Sequence, residues 1–135
     1  MATAPTDIYL GNPNLKRSNV AQDFTREQVS EYIKCSRDPA YFIREYVQIV
    51  SLDEGLVPFN MYPFQEEMVN KFHEHRFNIA KLPRQSGKST IVTSYLLWYV
   101  LFNEEVNVAI LANKAATSRE MLGRLQKSYE HLPKW

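Results

Sequence analysis

The spacing of apolar residues divides the chain into three parts. Residues 1–23 carry few apolar positions and include Gly11 and Pro13, which predicts an extended arm. Residues 24–76 repeat apolar side chains three and four positions apart, the period of α-helices. From residue 77 onward, short apolar runs alternate with longer helical patterns, and this order favours an α/β fold with parallel strands and right-handed crossovers.

Two helix starts are recognisable after the arm. Thr25–Gln28 has the spacing of a capping box and predicts a helix over about 26–34. Asp38-Pro39 joins an N-cap residue to a proline at the first helical position, and apolar spacing extends this second helix to about residue 50. A loop is expected over 51–61 because it contains glycine and proline.

The remaining elements follow from the same signals. Pro63 predicts the start of a third helix, over about 64–75. The elements expected after it are, in order, a strand over 77–82, a loop, a long apolar helix over 88–102, a buried strand over 108–112 and an amphipathic helix over 115–131.

Composition narrows the class of protein. The chain has 135 residues, and 44% of them are hydrophobic, enough for a packed core. The longest apolar run, Tyr95–Phe102, is too short to span a membrane, and the first residues lack a secretion signal. Cys35 is the only cysteine, which excludes an intrachain disulfide. Together these features favour a cytosolic protein without a membrane partner.

Charge is distributed unevenly although the formal net charge is only +1. Residues 1–80 hold 8 Lys/Arg against 11 Asp/Glu, whereas residues 81–135 hold 8 against 4. The basic second part suits phosphate groups or a nucleic-acid backbone, and an ordinary variation in surface charge is the alternative.

The strongest chemical motif is Gly87-Lys88-Ser89, between the predicted strand and the long helix. Glycine lets backbone amides approach phosphate, lysine reaches the outer phosphates, and the Ser89 hydroxyl suits Mg²⁺ held between phosphates. The motif is the closing part of a Walker A loop, but Leu82 stands where the first glycine is usual. The two interpretations are an ATP-binding P-loop and an incidental loop.

The rest of the loop is polar as well. It contributes Arg84, Gln85, Ser86 and, after Ser89, Thr90. Arg84 is a second cation, and a cation near the γ-phosphate stabilises the charge that develops during phosphoryl transfer. Arg84 and Lys88 are therefore the candidate catalytic residues, and a solvated loop arginine is the alternative for Arg84.

Two further pairs of residues are candidates for ligand contacts. The amide of Gln65 could pair with the edge of adenine while Phe64 stacks on the base, or the two could be an ordinary surface glutamine and core phenylalanine. Lys114 and Arg119, with Thr117 between them, follow the second predicted strand, where parallel sheets bind ligands. They could contact DNA phosphates or simply begin a solvated helix.

Other patterns are set aside. Val47–Glu54, which ends in Leu52-Asp53-Glu54, resembles an apolar strand that ends in an acidic pair, but it precedes the loop, is interrupted by Gln48 and Ser51, and is predicted to be a helix end followed by a loop. His73 and His75 are two positions apart and do not share a helix face, and Cys35 is distant, so no metal-ligand spacing is recognisable.

These motifs, in this order, resemble one family. Arg84–Ser89, with Leu82 in place of glycine, resembles the variant Walker A of tailed-phage terminase large subunits, of the T-even-like myophage type. Leu10–Arg17, Phe64-Gln65 and Ala109–Lys114 also look like their counterparts, so the similarity covers nearly the whole chain.

The resemblance implies a fold and a function. The expected fold is α/β: the N-terminal portion of a P-loop NTPase sheet of the additional-strand, RecA-like type, preceded by a small helical region. The family's large subunit is an ATPase and nuclease that drives double-stranded DNA into a prohead. ATP and Mg²⁺ are the implied cofactors. By resemblance, Phe64 and Gln65 bind adenine. Residues Arg84 to Thr90 surround the phosphates, and the Ser89 hydroxyl is a ligand of Mg²⁺.

The resemblance also implies partners. They are double-stranded DNA, the portal protein, the terminase small subunit and the remainder of the large subunit, in a ring on the portal within the host cytoplasm. The family's Walker B acidic pair, coupling motif and nuclease domain have no counterpart here, so we expect negligible ATP hydrolysis by this chain alone. A helicase-like DNA translocase and a non-catalytic, partner-binding product are the alternatives.

Overall fold

Helices dominate the fold, and the strands form only two short hairpins. The computed structural model describes residues 8–133 and 135. Its elements are β1 (Ile8–Tyr9), β2 (Asn12–Lys16), α1 (Arg26–Arg37), α2 (Pro39–Tyr46), β3 (Gln48–Ser51), β4 (Gly55–Pro58), α3 (Pro63–Glu74), α4 (Lys88–Phe102) and α5 (Ala115–Glu130). The fold is therefore mixed α/β, with two antiparallel two-stranded sheets among the described residues.

The predicted starts of the first two helices are confirmed at the level of hydrogen bonds. The Thr25 hydroxyl accepts a bond from the Gln28 backbone N–H at 3.2 Å, and the Gln28 side chain accepts one from the Thr25 N–H at 2.9 Å. The Asp38 carboxylate accepts from the Tyr41 N–H at 3.0 Å, and Pro39 occupies the first turn of α2. These bonds satisfy amide groups that the first helical turn leaves without a partner.

The second helix ends earlier than its apolar spacing predicts. Instead of continuing to residue 50, the chain becomes extended at Val47 and forms the β3–β4 hairpin within a segment expected to be partly loop. Gly55 adopts φ +76°, which glycine reaches without strain, and this allows Ser51 to pair with Gly55 across a tight turn. The Phe59 N–H then donates to the Val47 carbonyl at 3.0 Å and ties the hairpin to the end of α2.

The predicted arm also contains a hairpin. β1 and β2 pair antiparallel, with Gly11 at φ +74° in the turn. The Asn14 side-chain amide donates to the Glu130 carbonyl at 3.2 Å, which fixes this hairpin against the end of α5. Residues 1–7 of the predicted arm lie outside the described residues.

The core lies where α1, α2, α3 and α4 meet. Ile43 of α2 and Ile91 of α4 are fully buried. The indole N–H of Trp98 donates to the Cys35 carbonyl at 2.7 Å. That carbonyl would normally accept from the residue four positions on, which is Pro39 and has no N–H, so Trp98 supplies the missing donor. The buried apolar residues are Cys35, Ala40, Phe42, Ile43, Val47, Phe59, Val69, Ile91, Leu97, Trp98 and Leu132.

The two strands predicted over 77–82 and 108–112 are not formed. Within residues 8–133 both segments lie outside every hydrogen-bonded ladder, and the parallel sheet expected from their order does not appear. Ile79 and Leu111, at the middle of the two runs, are 102% and 89% exposed. A strand is completed by backbone groups of a neighbouring strand, and none lies beside these segments in the part of the chain that the structure describes.

The two long C-terminal helices match their predicted bounds closely but differ in burial. α4 buries five residues, whereas α5, which is described in full, buries none and reaches the core only through half-buried side chains such as Leu125. None of the described helices combines the length and the apolar character that crossing a membrane requires.

Candidate functional site

The loop before α4 contains two residues with left-handed backbone conformation. Gln85 and Gly87 both have positive φ, +60° and +74°, so the chain curls tightly before it enters the helix. Gly87 is the N-cap of α4, and within residues 8–133 no side chain caps that end. The first turn of α4 also lacks an acidic residue. Its amides and the positive end of the helix dipole are thus suited to an anion.

The lysine of the loop, Lys88, is exposed, and its side chain folds back on the loop. Its Nζ donates to the Leu82 carbonyl at 3.3 Å, at the position where a glycine is usual in a Walker A sequence. The Ser86 hydroxyl donates to the Pro83 carbonyl at 3.0 Å and closes the same turn. The lysine is therefore held at the loop by a single bond to an exposed segment, which leaves its ammonium able to move to a nearby anion.

Gln65 connects the loop to α3. Its side chain is only 3% exposed, and its Nε2 donates to the Ser86 carbonyl at 3.2 Å. Its Oε1 accepts from the Tyr62 backbone N–H at 2.9 Å. A Cβ on Gly87 would approach Gln65 Nε2 to 2.8 Å, closer than real Cβ atoms come. Any side chain at position 87 would therefore displace the amide as well as strain the positive φ.

A cleft of about 610 Å³ opens between the loop and the segment that precedes α3. It brings together most of the candidate ligand residues from two distant parts of the sequence. The lining residues are Ile49, Pro58, Phe59, Asn60, Tyr62, Phe64, Gln65, Pro83, Arg84, Gln85, Ser86, Gly87 and Thr90. Lys88 and Ser89 are not in this lining; Lys88 points to Leu82, and half-buried Ser89 offers its carbonyl to the Thr93 hydroxyl at 2.9 Å.

An aromatic pair forms one wall of the cleft. The rings of Tyr62 and Phe64 are stacked, with centroids 6.1 Å apart and planes inclined by 6°. Both remain substantially exposed, 66% and 41%, so their faces are available to a planar ligand. Sequence reasoning identified Phe64 but missed Tyr62; the available signal was a second aromatic residue immediately before the helix-opening Pro63.

The remaining candidates lie elsewhere. Lys114 is the N-cap of α5, and Arg119 lies in the first turns of that helix; both are exposed and neither lines the cleft. Leu52–Glu54 forms the turn of the β3–β4 hairpin, within the segment that was predicted to be a loop. Over the described ranges, 8–133 and 135, His, Cys, Asp and Glu side chains form no group of three that could hold a metal ion.

The titratable groups with shifted pKa values lie outside the cleft. Burial raises the pKa of the Cys35 thiol to about 11, so this thiol stays protonated and unreactive near neutral pH. On α1, the Glu31 carboxylate accepts bonds from Lys34, Tyr41 and Tyr46, and these donors, Lys34 first, hold its pKa below the ordinary value. Both shifts serve structure.

The geometry defines a cleft with an uncapped helix N-terminus, the basic side chain of Arg84 and an aromatic wall, and Lys88 lies on the same loop outside the cleft lining. Such a combination suits a phosphorylated ligand with a planar group. The chain matches no protein-family model.

Proposed function

We propose that this chain is the nucleotide-binding segment of a viral DNA-packaging motor, a terminase large subunit that couples ATP hydrolysis to the movement of double-stranded DNA into a prohead. The observation that carries the proposal is the left-handed Gly87, which leads into the uncapped N-terminus of α4 beside Lys88. This arrangement supports the proposal because it leaves backbone amides free for an anion and places a lysine on the same loop.

Three residues of the loop have a defined role in the proposal. Lys88 leaves the Leu82 carbonyl and binds the outer phosphates, while the Ser89 hydroxyl contributes a ligand to Mg²⁺. Arg84, at the wall of the cleft, stabilises negative charge on the γ-phosphate. The base lies against the Phe64 side of the aromatic wall, beside Gln65. The magnesium ion would neutralise phosphate charge as the bond to the leaving group breaks.

The DNA part of the proposal depends on charge. Residues 81–135 carry 8 Lys/Arg against 4 Asp/Glu, and Lys114 and Arg119 are exposed at the start of α5. Cations at this end of the helix suit contacts with DNA phosphates, which contribute affinity without sequence preference. The resemblance to terminases adds the portal, the small subunit and a ring of large subunits on the prohead as proposed partners.

The direct test is binding of Mg²⁺–ATP, measured by isothermal titration calorimetry. Lys88→Ala should weaken binding about 10- to 100-fold because a charge-assisted contact to phosphate is lost. Lys127→Ala removes the same charge from an exposed position in the last turn of α5 and serves as the matched control. Equal affinities for ATP in the wild type and in Lys88→Ala would remove the loop from the mechanism.

A second candidate function is a non-catalytic module that binds a partner. It is favoured by the large apolar side chains exposed outside the sheets, above all Phe77, Ile79 and Leu111. The partner-binding hypothesis predicts that the chain associates with itself or with a partner, and that neither Mg²⁺–ATP nor Lys88→Ala changes this association. Sedimentation with and without nucleotide separates the two candidates.

A further inference from the structure

The side chain of Gln65 has both of its polar atoms engaged inside the protein. Nε2 donates to the Ser86 carbonyl and Oε1 accepts from the Tyr62 N–H, at 3.2 and 2.9 Å. Only one orientation of the amide satisfies both bonds, because one partner is an acceptor and the other a donor. With 3% of its surface exposed, the side chain has little left to offer a base in the cleft.

The bond to Ser86 fixes a peptide plane of the phosphate loop. In a trans peptide the carbonyl of one residue and the N–H of the next point in opposite directions. Holding the Ser86 carbonyl toward α3 therefore turns the Gly87 N–H away from α3. Gln65 Nε2 also lies so near Gly87 that a Cβ at this position would come to 2.8 Å from it, so the amide is packed directly beside this peptide.

From these contacts we infer that Gln65 is a positioning residue for the phosphate loop: it orients the Ser86–Gly87 peptide so that its amide faces the anion, and it does not select the base. The inference rests on the proposed function, since it concerns the same loop. In this inference, binding of the ligand's triphosphate depends on Gln65, whereas binding of its adenine does not. Base contacts then fall to the aromatic wall of Tyr62 and Phe64.

The test compares inorganic tripolyphosphate, which has no base, with ATP and GTP, each with Mg²⁺. Gln65→Met keeps the length of the side chain and removes both hydrogen bonds. We expect it to weaken tripolyphosphate and ATP by the same factor, about tenfold, with an unchanged ratio of ATP to GTP affinity. Gln126→Met makes the same change at an exposed position on α5 and should leave all three affinities unaltered.

A second variant supplies a pH readout that a merely structural role would not produce. Gln65→Glu keeps the acceptor for Tyr62 but loses the donor to Ser86 when the introduced carboxyl is ionised. Protonation restores a donor, and burial raises the pKa of such a carboxyl. Its tripolyphosphate affinity, as a ratio to wild type at the same pH, should therefore rise as the pH is lowered from 8 to 5.5. This near-isosteric variant also covers the case in which Gln65→Met fails to fold.

The outcomes separate the two proposals. If the variants weaken ATP but leave tripolyphosphate unchanged, or alter the ratio of ATP to GTP, Gln65 reads the base and the inference is wrong while the phosphate loop stands. If neither ligand is weakened, the bond to Ser86 does not position the loop, and the inference is again wrong. If the wild-type chain binds neither tripolyphosphate nor ATP, the proposed function and the inference are overturned together.

Discussion

The two sides of α4 have very different surroundings. On one side lie α1, α2 and α3, which we call the helical core and which together with α4 hold most of the buried apolar residues. On the other side the open flank, residues 77–82 and 108–112 together with α5, carries apolar side chains that remain exposed. α4 is apolar around its circumference, so its sequence is suited to burial on both sides, whereas the described contacts cover one side more completely.

The candidate site lies at the boundary between these two regions. The helical core contributes Gln65, which is buried and makes two hydrogen bonds. The open flank contributes Leu82, whose carbonyl accepts the single bond from Lys88. The half of the loop that meets the core is thus held firmly, and the half that follows the flank is held weakly. A ligand should reorganise the second half more than the first.

The largest expected effect is a contrast between two isoleucines. Ile43, in the helical core, is 0% exposed, and Ile79, in the open flank, is 102% exposed. Ile43→Ala should lower the free energy of unfolding by about 2–5 kcal/mol because it removes buried methyl groups and leaves a cavity. Ile79→Ala should change it by less than about 0.5 kcal/mol. Urea denaturation of both variants measures the two changes in unfolding free energy, and equal losses would contradict the difference between the helical core and the open flank.

A smaller loss is expected when the bond between α4 and α1 is removed. Trp98→Phe leaves the Cys35 carbonyl without its donor, because Pro39 cannot replace the indole N–H. An unsatisfied buried carbonyl costs about 1–3 kcal/mol. Trp135→Phe is the matched control, since Trp135 is only half-buried and packs edge-on against Tyr46. If urea denaturation shows the same loss of unfolding free energy for both substitutions, the hydrogen bond to the Cys35 carbonyl does not contribute measurably to stability.

Helix capping should sharpen the comparison further. Thr25 caps α1 in the helical core, so Thr25→Ala should destabilise the protein by about 1 kcal/mol. Lys114, at the start of α5, is a basic residue in extended conformation and caps no amide with its side chain among the described residues. Lys114→Ser should stabilise the protein by about 0.5–1 kcal/mol, since it adds a cap and removes a cation from the helix N-terminus.

The control for the capping prediction is Lys127→Ser. It removes the same charge from the opposite end of α5, where a cation is favourable. Urea midpoints should therefore move in opposite directions for the two serine variants. If Lys114→Ser is no more stable than Lys127→Ser, the absence of a side-chain cap at the N-terminus of α5 does not lower the stability of the protein.

The smallest expected effect is on the pH dependence of stability, through Glu31 on α1. Hydrogen bonds from Lys34, Tyr41 and Tyr46 lower the pKa of Glu31 in the folded state. A lowered pKa means that this carboxylate stabilises the fold above its ordinary range and loses that contribution as the pH falls through the folded value. Glu31→Gln should therefore flatten the acid limb of a plot of unfolding free energy against pH. An acid limb that superimposes on the wild type would contradict this.

Helix starts were predictable because they depend on a few adjacent residues. The capping box at Thr25, the Asp38-Pro39 pair and Gly87 each fix local geometry, and the structure has helices starting directly after all three. The β3–β4 hairpin was not predicted. Val47 and Ile49 fit both a helical and an extended pattern over so short a run, and the turn at Gly55 decides between them.

The strands predicted over 77–82 and 108–112 were wrong because strand formation, unlike a helix start, depends on residues distant in the sequence. Their apolar patterns describe a local tendency to be extended, but a strand exists only when another backbone supplies its hydrogen bonds. The candidate site was predictable in part for a similar reason. Loop residues such as Gly87 and Lys88 are consecutive, whereas the burial of Gln65 and its bond to Ser86 join positions 21 residues apart. Spacing alone does not reveal which atoms of that amide are engaged.

The buried indole of Trp98 has an optical consequence. It lies on the same helix as Lys88, about 15 Å along the axis at 1.5 Å per residue, and its Nε1 is held by one carbonyl in an apolar setting. An indole so enclosed emits fluorescence at shorter wavelength than one in water. In a Trp135→Phe background, Trp98 becomes the sole tryptophan of this chain, since the sequence contains two, and excitation at the red edge of indole absorption avoids its tyrosines. The helix that begins at the candidate site therefore carries its own spectroscopic probe, and a ligand that shifts α4 would change the emission without any attached dye.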